Sequence, residues 1–319
     1  MEKKEIIKLF LESEIQLTPS ALDLIFQNQE TIDKLISYAK QKNILIVDEK
    51  FVEEFLSTQR AKGGIKIEIL YPEEVSEFSI DDVVRMMKER FQILSEILQQ
   101  NNNIQNLTSL SRVKRLKEGE ETTVIGMVRD KTTYSVLLED LTSHETIQMD
   151  AKLVDKLFYD DVVGVRVRKE EGKLIGDKIF FPSLSFFRKP KMLEVDLKIS
   201  TQEIKLTSNA IPIEKKEVIR VLLNDFQIFL LDVSIIEKYR RGNESEIDVL
   251  ISLIERRHLN PSFFTSQKIY KRDLFLVDEV PDALIVINTK YTLYKPYKGI
   301  HVFFLPEGKT LSLKEKKIE

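Results

Sequence analysis

The stretch Asp161-Val162-Val163-Gly164-Val165-Arg166-Val167-Arg168 decides how the middle of the chain folds. Val163, Val165 and Val167 alternate with Arg166 and Arg168, a period of two that puts the valines on one face of a strand and both arginines on the other. From about residue 112 onward the same period recurs. It predicts strands at Thr122–Arg129, Tyr134–Glu139, Thr146–Asp150, Val162–Lys169 and Leu174–Phe181, with a short helix, Lys152–Phe158, between the third and fourth. Five strands with a helix in that position follow the order of an OB-fold.

Upstream the period is 3.6. Ile6, Ile7, Phe10 and Leu11 form one helical stripe. Thr18 then caps a second helix with Pro19 in its first turn, and Leu22, Ile25 and Phe26 make its apolar face. Asn28 is read as the cap of a third helix carrying Ile32, Leu35, Ile36 and Ala39. Ile44–Val47 is a short strand, and Asp48 caps a last helix through Phe51, Val52, Phe55 and Leu56. Residues 61–78 connect, with a strand expected at Ile65–Leu70. Ser79 and Asp82 open a capping box, and the helix behind it carries Val83, Met87, Phe91, Leu94 and Leu98 on one stripe. Gln99–Asn103 ends it as a polar linker.

Downstream, Pro182–Pro190 is a link. Strands are expected at 192–199, 227–233, 274–278, 284–288 and 300–305, helices at 213–223 and 245–257, and a frayed tail at Lys314–Glu319. The fold class is therefore multidomain α+β. Residues 1–60 form an N-terminal helical domain, 61–111 a connector with a long helix, 112–182 an OB-fold β-barrel and 190–319 an α/β domain.

Composition narrows the chemistry. The 319 residues carry 49 Lys+Arg against 52 Asp+Glu, a net charge of -3, which excludes a globally basic nucleic-acid binder but not a local basic face. With no Cys there is no disulfide, thiolate metal site or Cys nucleophile. The three His, 144, 258 and 301, are far apart in sequence. Gly308-Lys309-Thr310 ends like a P-loop, but the required upstream glycine is Phe303. No apolar run approaches the roughly 20 residues of a membrane span. The expectation is a soluble, cytoplasmic chain with no membrane contact.

Three stretches carry a resemblance to a known family. Leu17-Thr18-Pro19-Ser20-Ala21 lies in the helical N-terminus. The barrel block contributes Val124-Ile125-Gly126-Met127-Val128, Leu138-Glu139-Asp140 with Thr142, Asp161–Val165 and Asp177-Lys178-Ile179-Phe180-Phe181-Pro182. The most specific is Arg256-Arg257-His258-Leu259-Asn260-Pro261 followed by Val277-Asp278-Glu279-Val280-Pro281-Asp282. In these the chain resembles the small, B-type subunit of archaeal family D DNA polymerase. The resemblance implies a calcineurin-like phosphoesterase domain behind the OB-fold, with two metal ions held by D-x-H, G-D-x-x-D, G-N-H-D, lone-His and G-H-x-H motifs for 3′–5′ exonucleolysis.

On this chain those motifs are broken. The first falls at Asp196-Leu197-Lys198, where an ammonium with no lone pair stands in place of the imidazole. No G-D-x-x-D occurs. The third falls at Ser208-Asn209-Ala210, leaving Asn209. The region of the fourth, Leu231-Asp232-Val233, has no His. The last reads Ile287-Asn288-Thr289-Lys290. Asp196, Lys198, Asn209, Asn288 and Lys290 thus mark a former metal site in a degenerate, shortened phosphoesterase-like domain. No catalytic residue, metal or cofactor is expected.

The resemblance implies a non-catalytic accessory or scaffold subunit of a DNA replication or repair assembly. Its partner would be a DNA polymerase catalytic subunit or another replisome protein. The alternative is a free-standing OB-fold protein that binds single-stranded DNA. Candidate nucleic-acid contacts are Arg166 and Arg168, read otherwise as a solvated strand face; Arg188 and Lys189 beside Phe186 and Phe187, read otherwise as a hinge; and Arg256 and Arg257, which also suit a helix C-terminus. Tyr291, Tyr294 and Tyr297 are the candidate partner surface, or an ordinary hairpin.

Overall fold

The computed structural model describes residues 3–28, 31–42, 44–62, 66–102, 104, 106–184, 188–206, 209–262 and 269–319. The chain divides into two compact units, 1–67 and 68–319. In the first, α1 (Lys3–Glu12), β1 (Gln16–Leu17), α2 (Pro19–Gln27), α3 (Ile32–Gln41), β2 (Ile46–Val47) and α4 (Glu49–Lys62) enclose a core that includes Ile6, Phe10, Ile25, Leu35, Val52 and Phe55. The Thr18 hydroxyl accepts from the Ala21 N–H, and the Asp48 carboxylate accepts from the Phe51 N–H at 2.9 Å, so both predicted caps form. Asn28 does not cap α3. Its N–H bonds back to the Ile25 carbonyl and closes α2, while Thr31 precedes α3.

The second unit begins at β3 (Ile67–Leu70) and runs into α5 (Ile80–Asn102). The Ser79 N–H donates to Asp82 Oδ2 at 2.9 Å and the Asp82 N–H donates to Ser79 Oγ at 3.3 Å, the reciprocal bonds of a capping box. After α6 (Leu110–Val113), β4 (Glu121–Lys131), β5 (Ser135–Glu139), β6 (His144–Met149), α7 (Ala151–Asp155), β7 (Val162–Glu170) and β8 (Lys173–Phe180) make a closed barrel in the order β4-β5-β6-β8-β7. All pairs are antiparallel except β6 with β8. Val124, Val128, Val136, Leu138, Ile147, Val163, Val165 and Val167 fill the interior. On its outside, α5 lies against β4 and β7. Gly164 permits the approach: a Cβ there would lie 3.1 Å from Leu98 Cδ2 and 3.3 Å from Phe180 Cβ.

The remainder holds two sheets. In the first, β9 (Leu197–Ser200), β10 (Glu203–Leu206) and β11 (Asn209–Pro212) are followed in space by two late strands. The second takes β12 (Val218–Leu223) and β13 (Phe226–Asp232), then, after α8 (Val233–Tyr239) and α9 (Glu246–Glu255), β14 (Ala283–Thr289), β15 (Leu293–Tyr297) and β16 (Ile300–Pro306). The late strands β17 (Thr310–Ser312) and β18 (Lys317–Ile318) complete the first sheet. The orders are β11-β10-β9-β17-β18 and β15-β16-β14-β13-β12-β3, with β13, β14 and β16 parallel. In the larger sheet, both faces of strands β12, β13, β14 and β16 are buried. One, bearing Val218, Phe229, Leu231, Leu284, Val286 and Phe304, shares a core with α8 and α9.

Four expectations change here. The helix expected at 213–223 is the strand β12, hairpinned to β13 through Asn224 at positive φ. Its run of apolar residues is buried on both faces, a pattern that periodicity alone does not separate from a buried helix. The strand expected at 274–278 is irregular backbone wrapped on Arg220, whose guanidinium donates to the Leu274 carbonyl at 3.0 Å and also to the Leu276 carbonyl. The strand expected from 192 begins only at Leu197. The tail expected to fray folds back instead, pairing β18 with β17.

Gly299 sits between β15 and β16 at φ +81°, and a Cβ there would fall 2.6 Å from the Arg188 carbonyl oxygen. Strain and backbone overlap act together. Gly299→Ala is expected to lower stability by about 2 kcal/mol or more, read as a drop in the urea unfolding midpoint. An unchanged midpoint would show that the 188–191 link shifts freely.

Candidate functional site

The barrel places the β7 side chains as the alternation requires. Val163, Val165 and Val167 are buried, and Arg166 and Arg168 point outward. The Arg166 guanidinium forks onto Asp177, Nε to Oδ1 at 2.8 Å and Nη2 to Oδ2 at 2.6 Å. Arg168 pairs with Glu170. The bond to Asp177 pushes the Arg166 guanidinium up, and Arg166 in turn holds the Asp177 carboxyl below its usual range. Both pairs are solvent-exposed. Such pairs are weak and open to exchange with a competing anion.

Three other candidate arginines are not surface groups. Arg188 donates to the carbonyls of Pro281 (3.0 Å), Gly299 (2.7 Å) and Val280 (3.1 Å) and to Asp282 Oδ1 (2.6 Å). Arg256 is 7% exposed, with Nε on Asp161 Oδ2 at 3.1 Å. Arg257 is buried against the carbonyls of Pro182 and Val277 at 3.2 and 3.3 Å, and burial lowers its guanidinium to about 10. Their guanidiniums are engaged by loop carbonyls and buried carboxylates, Arg256 and Arg257 in the interior and Arg188 half-buried, so none presents a free cationic face. Lys189 is exposed. Phe186 and Phe187 lie outside the described residues.

The tyrosines separate. Tyr294 is exposed on the edge strand β15, stacks on Phe303 with ring centroids 4.8 Å apart, and its hydroxyl lies 3.0 Å from His301 Nδ1. Tyr291 is exposed and stacks on Phe304 at 5.5 Å. Tyr297 is half-buried and donates its hydroxyl to Glu255 Oε1 at 2.7 Å, which the Lys298 ammonium also reaches at 2.9 Å. Tyr291 and Tyr294 therefore form the open part of this surface.

The five positions expected to mark a former metal site fall on two different sheets or at their ends. Asp196 and Lys198 are exposed at the start of β9, and Asn209 is exposed at the start of β11. Asn288 and Lys290 lie at the far end of β14, where Asn288 Nδ2 donates to Asp232 Oδ2 at 2.7 Å. Among the described residues no group of three or more His, Asp or Glu is arranged to hold a metal ion. The carboxylates around Pro281 are engaged in structure. Asp278 pairs with Arg220 at 3.0 Å, and Asp282 holds Arg188 and the Gln227 N–H.

Two features escape sequence reading altogether. The first is a buried triad. Arg90 of α5 donates to Asp273 Oδ2 at 2.8 Å and to the Pro261 carbonyl at 2.7 Å, and His258 Nε2 meets the same Asp273 oxygen at 2.8 Å. These residues are more than 160 positions apart in part, so no local pattern announces them. The second is a groove of about 550 Å³ between α5 and the barrel, floored by Met87 and Met127. The α5 stripe supplies Val83, Met87 and Phe91 to it, but nothing local shows that the barrel leaves them partly open.

No family model matches the chain. Over 175 residues it is 24% identical to the DNA polymerase II small subunit of Thermoplasma acidophilum, an alignment taking in 52% of this chain and 34% of that protein. Over 125 residues it is 26% identical to the DNA polymerase II small subunit of Pyrococcus furiosus, covering 36% of this chain and 20% of that one. The matched region therefore spans about a third or less of these relatives' own lengths. Solved structures with partial similarity include a chain of the S. pombe Stn1-ten1 complex, at 20% identity and TM-score 0.20 over 23% of this chain and 72% of that one. The hypothetical protein ygiW from E. coli matches at 18% identity and TM-score 0.20, over 23% of this chain and 86% of that one. Among the described residues no helix is long and apolar enough to cross a membrane.

The triad sets a pH dependence. The Asn260 N–H donates to His258 Nδ1 at 3.2 Å, which requires a lone pair there and so a neutral ring with its proton on Nε2. Burial, aided by the Arg90 charge, lowers the imidazole from 6.5 to about 4 against the pull of Asp273. The unfolded chain thus binds the extra proton between about pH 4 and 6.5, and stability rises with pH across that window. Acidification from pH 7 to 4 is expected to remove about 3 kcal/mol through this group. Urea midpoints at several pH values check it. His258→Asn, less stable at pH 7, should show a shallower acid decline, and an identical slope would assign the decline to other groups.

Proposed function

We propose that the chain is a non-catalytic accessory subunit of a DNA replication or repair assembly. In this reading it is related to DNA polymerase small subunits and has lost the 3′–5′ exonuclease metal site. The observation that carries the reading is the partial similarity to two DNA polymerase II small subunits. The occupants of the motif positions support it. Lys198 and Lys290 are cations and Asn209 and Asn288 are neutral amides, so a metal pair would find almost no anionic or imidazole donors there. The five-stranded barrel, read as an OB-fold over 112–182, and the phosphoesterase-like remnant over 190–319 then act as a scaffold. The segments 1–60 and 61–111 are its helical domain and connector. The partner is a DNA polymerase catalytic subunit or another replisome protein, met in the cytoplasm.

Affinity purification of the tagged chain from its own cells after nuclease treatment is expected to recover a polymerase subunit in stoichiometric amount. Recovery of the bait alone would sink this reading.

Arg166 and Arg168 on one exposed barrel face favour a second reading, binding of single-stranded DNA. Displacing Asp177 and Glu170 by two phosphates would make affinity fall with salt. The double variant Arg166→Ala/Arg168→Ala is then expected to reduce the slope of log affinity against log salt by about 1.4. Binding with an unchanged slope would remove this face from consideration.

A further inference from the structure

The groove between α5 and the barrel has no role in either reading above. Its floor is Met87 of α5 and Met127 of β4, both buried. Val83 and Phe91 form the inner wall, and Val84 and Leu141 form the rim, 41% and 56% exposed. Ile80, one turn before Val84 on the same helix, is 83% exposed. Apolar side chains at 80, 84, 87 and 91 make a stripe that continues from open solvent into the groove. Val84 to Phe91 is about 10 Å along the helix, the length of two turns.

The charged lining residues select the occupant. Arg129 is held by Glu139 and by Asp160 at 3.2 Å. The Asp140 carboxylate is consumed by backbone N–H groups of Leu110 (2.7 Å), Thr142 and Ser143. Among the described residues, Lys88 is the charged lining side chain with neither an ion pair nor a side-chain hydrogen bond. A nucleic-acid backbone does not suit this seat, since its floor is thioether and its walls are largely apolar, with Lys88 as the lone unanswered cation. An apolar trough two turns long with one unanswered ammonium suits an amphipathic helix bearing a carboxylate beside its apolar face.

We infer that this groove is a docking site for an acidic amphipathic helix of a partner protein, which lays two turns of apolar side chains over Met87, Phe91 and Met127 and pairs a carboxylate with Lys88. The two methionines suit such a seat, because an unbranched thioether adapts to the side chains it meets. The inference is separate from the replication reading, since its test needs no polymerase subunit.

The test uses the full chain with its methionine methyls labelled for NMR. Two of the six methionines line the groove, and Met149 and Met192 are elsewhere. The probe is a synthetic 16-residue helical peptide with leucines at i, i+3, i+4 and i+7 flanked by glutamates. Its control carries lysines in place of the glutamates. The glutamate peptide is expected to shift the Met87 and Met127 methyls and leave Met149 and Met192 in place. Lys88→Glu should weaken it about five- to tenfold and favour the lysine peptide. Val84→Asp, at an exposed position that leaves the core intact, should abolish the shifts. Equal binding of both peptides, or no shift at Met87 and Met127 up to millimolar peptide, would overturn the inference. So would a single-stranded oligonucleotide that moves the same methyls.

Discussion

The second unit depends on how Phe158 is held. Its ring lies between two guanidiniums, Arg241 at 4.3 Å and Arg256 at 4.5 Å, with Tyr239 edge-on at 4.9 Å. Arg256 also stacks on Phe181 at 4.6 Å and donates to Asp161. Arg241 reaches the carbonyls of Asp155 and Leu157, and Arg256 reaches that of Lys156. The end of α7 and the turn into β7 are therefore capped carbonyl by carbonyl from residues just past the C-termini of α8 and α9. Burial pushes the Asp161 carboxyl up, and the facing guanidinium opposes it. Removing one partner of such a buried pair is strongly destabilising, about 3–5 kcal/mol, because the other charge is left in a dry interior. The barrel thus cannot turn against the α/β part without exposing an ion pair.

The same device recurs wherever irregular backbone is buried. Loop carbonyls have no ladder partner and need donors from somewhere. Arg90, Arg188, Arg220 and Arg257 provide them, between them reaching carbonyls of Pro261, Val280, Gly299, Leu274, Leu276, Pro182 and Val277. A planar fork with five donors suits this work better than an ammonium. Arg90 adds a second constraint, since it belongs to α5, which also lies against the barrel. One long helix consequently touches both halves of the unit, and the barrel, α5 and the α/β part have fixed relative positions.

This explains what could be read from sequence and what could not. Strands β5, β6 and the outer half of β7 were legible because each has a wetter and a drier face, and alternation reports that directly; β4, covered by α5, is buried on both. The helical stripes and the Thr18, Asp48 and Ser79 caps were legible because their partners lie within four residues. β12 was misread because both its faces are dry, so its pattern has no period of two. The β10–β11 and β17–β18 pairs were missed because their strands are two to four residues long. Arg166 and Arg168 sat where alternation put them. For Arg188, Arg256 and Arg257 the structural alternatives, a link and a helix C-terminus, fit better than a nucleic-acid contact, but a run of cations looks the same whether its forks meet phosphate or loop carbonyls. Their acceptors are up to 111 positions away, and only the folded chain brings them together.

Once these clamps are subtracted, the exposed chemistry of the second unit is simpler than its sequence suggests. The arginine face of β7, the tyrosine edge of β15 and the α5 groove remain open. Among the described residues none contains a cluster of metal ligands. The two perturbed imidazoles do not supply one. His258 is fixed in one tautomer by Asn260 and Asp273. His301 is lowered by burial and bonded on both nitrogens, to Tyr294 and the Lys191 carbonyl. What rigid arginine clamping does provide is constant spacing between separate surfaces. Surfaces held at a set spacing in this way keep one geometry relative to one another.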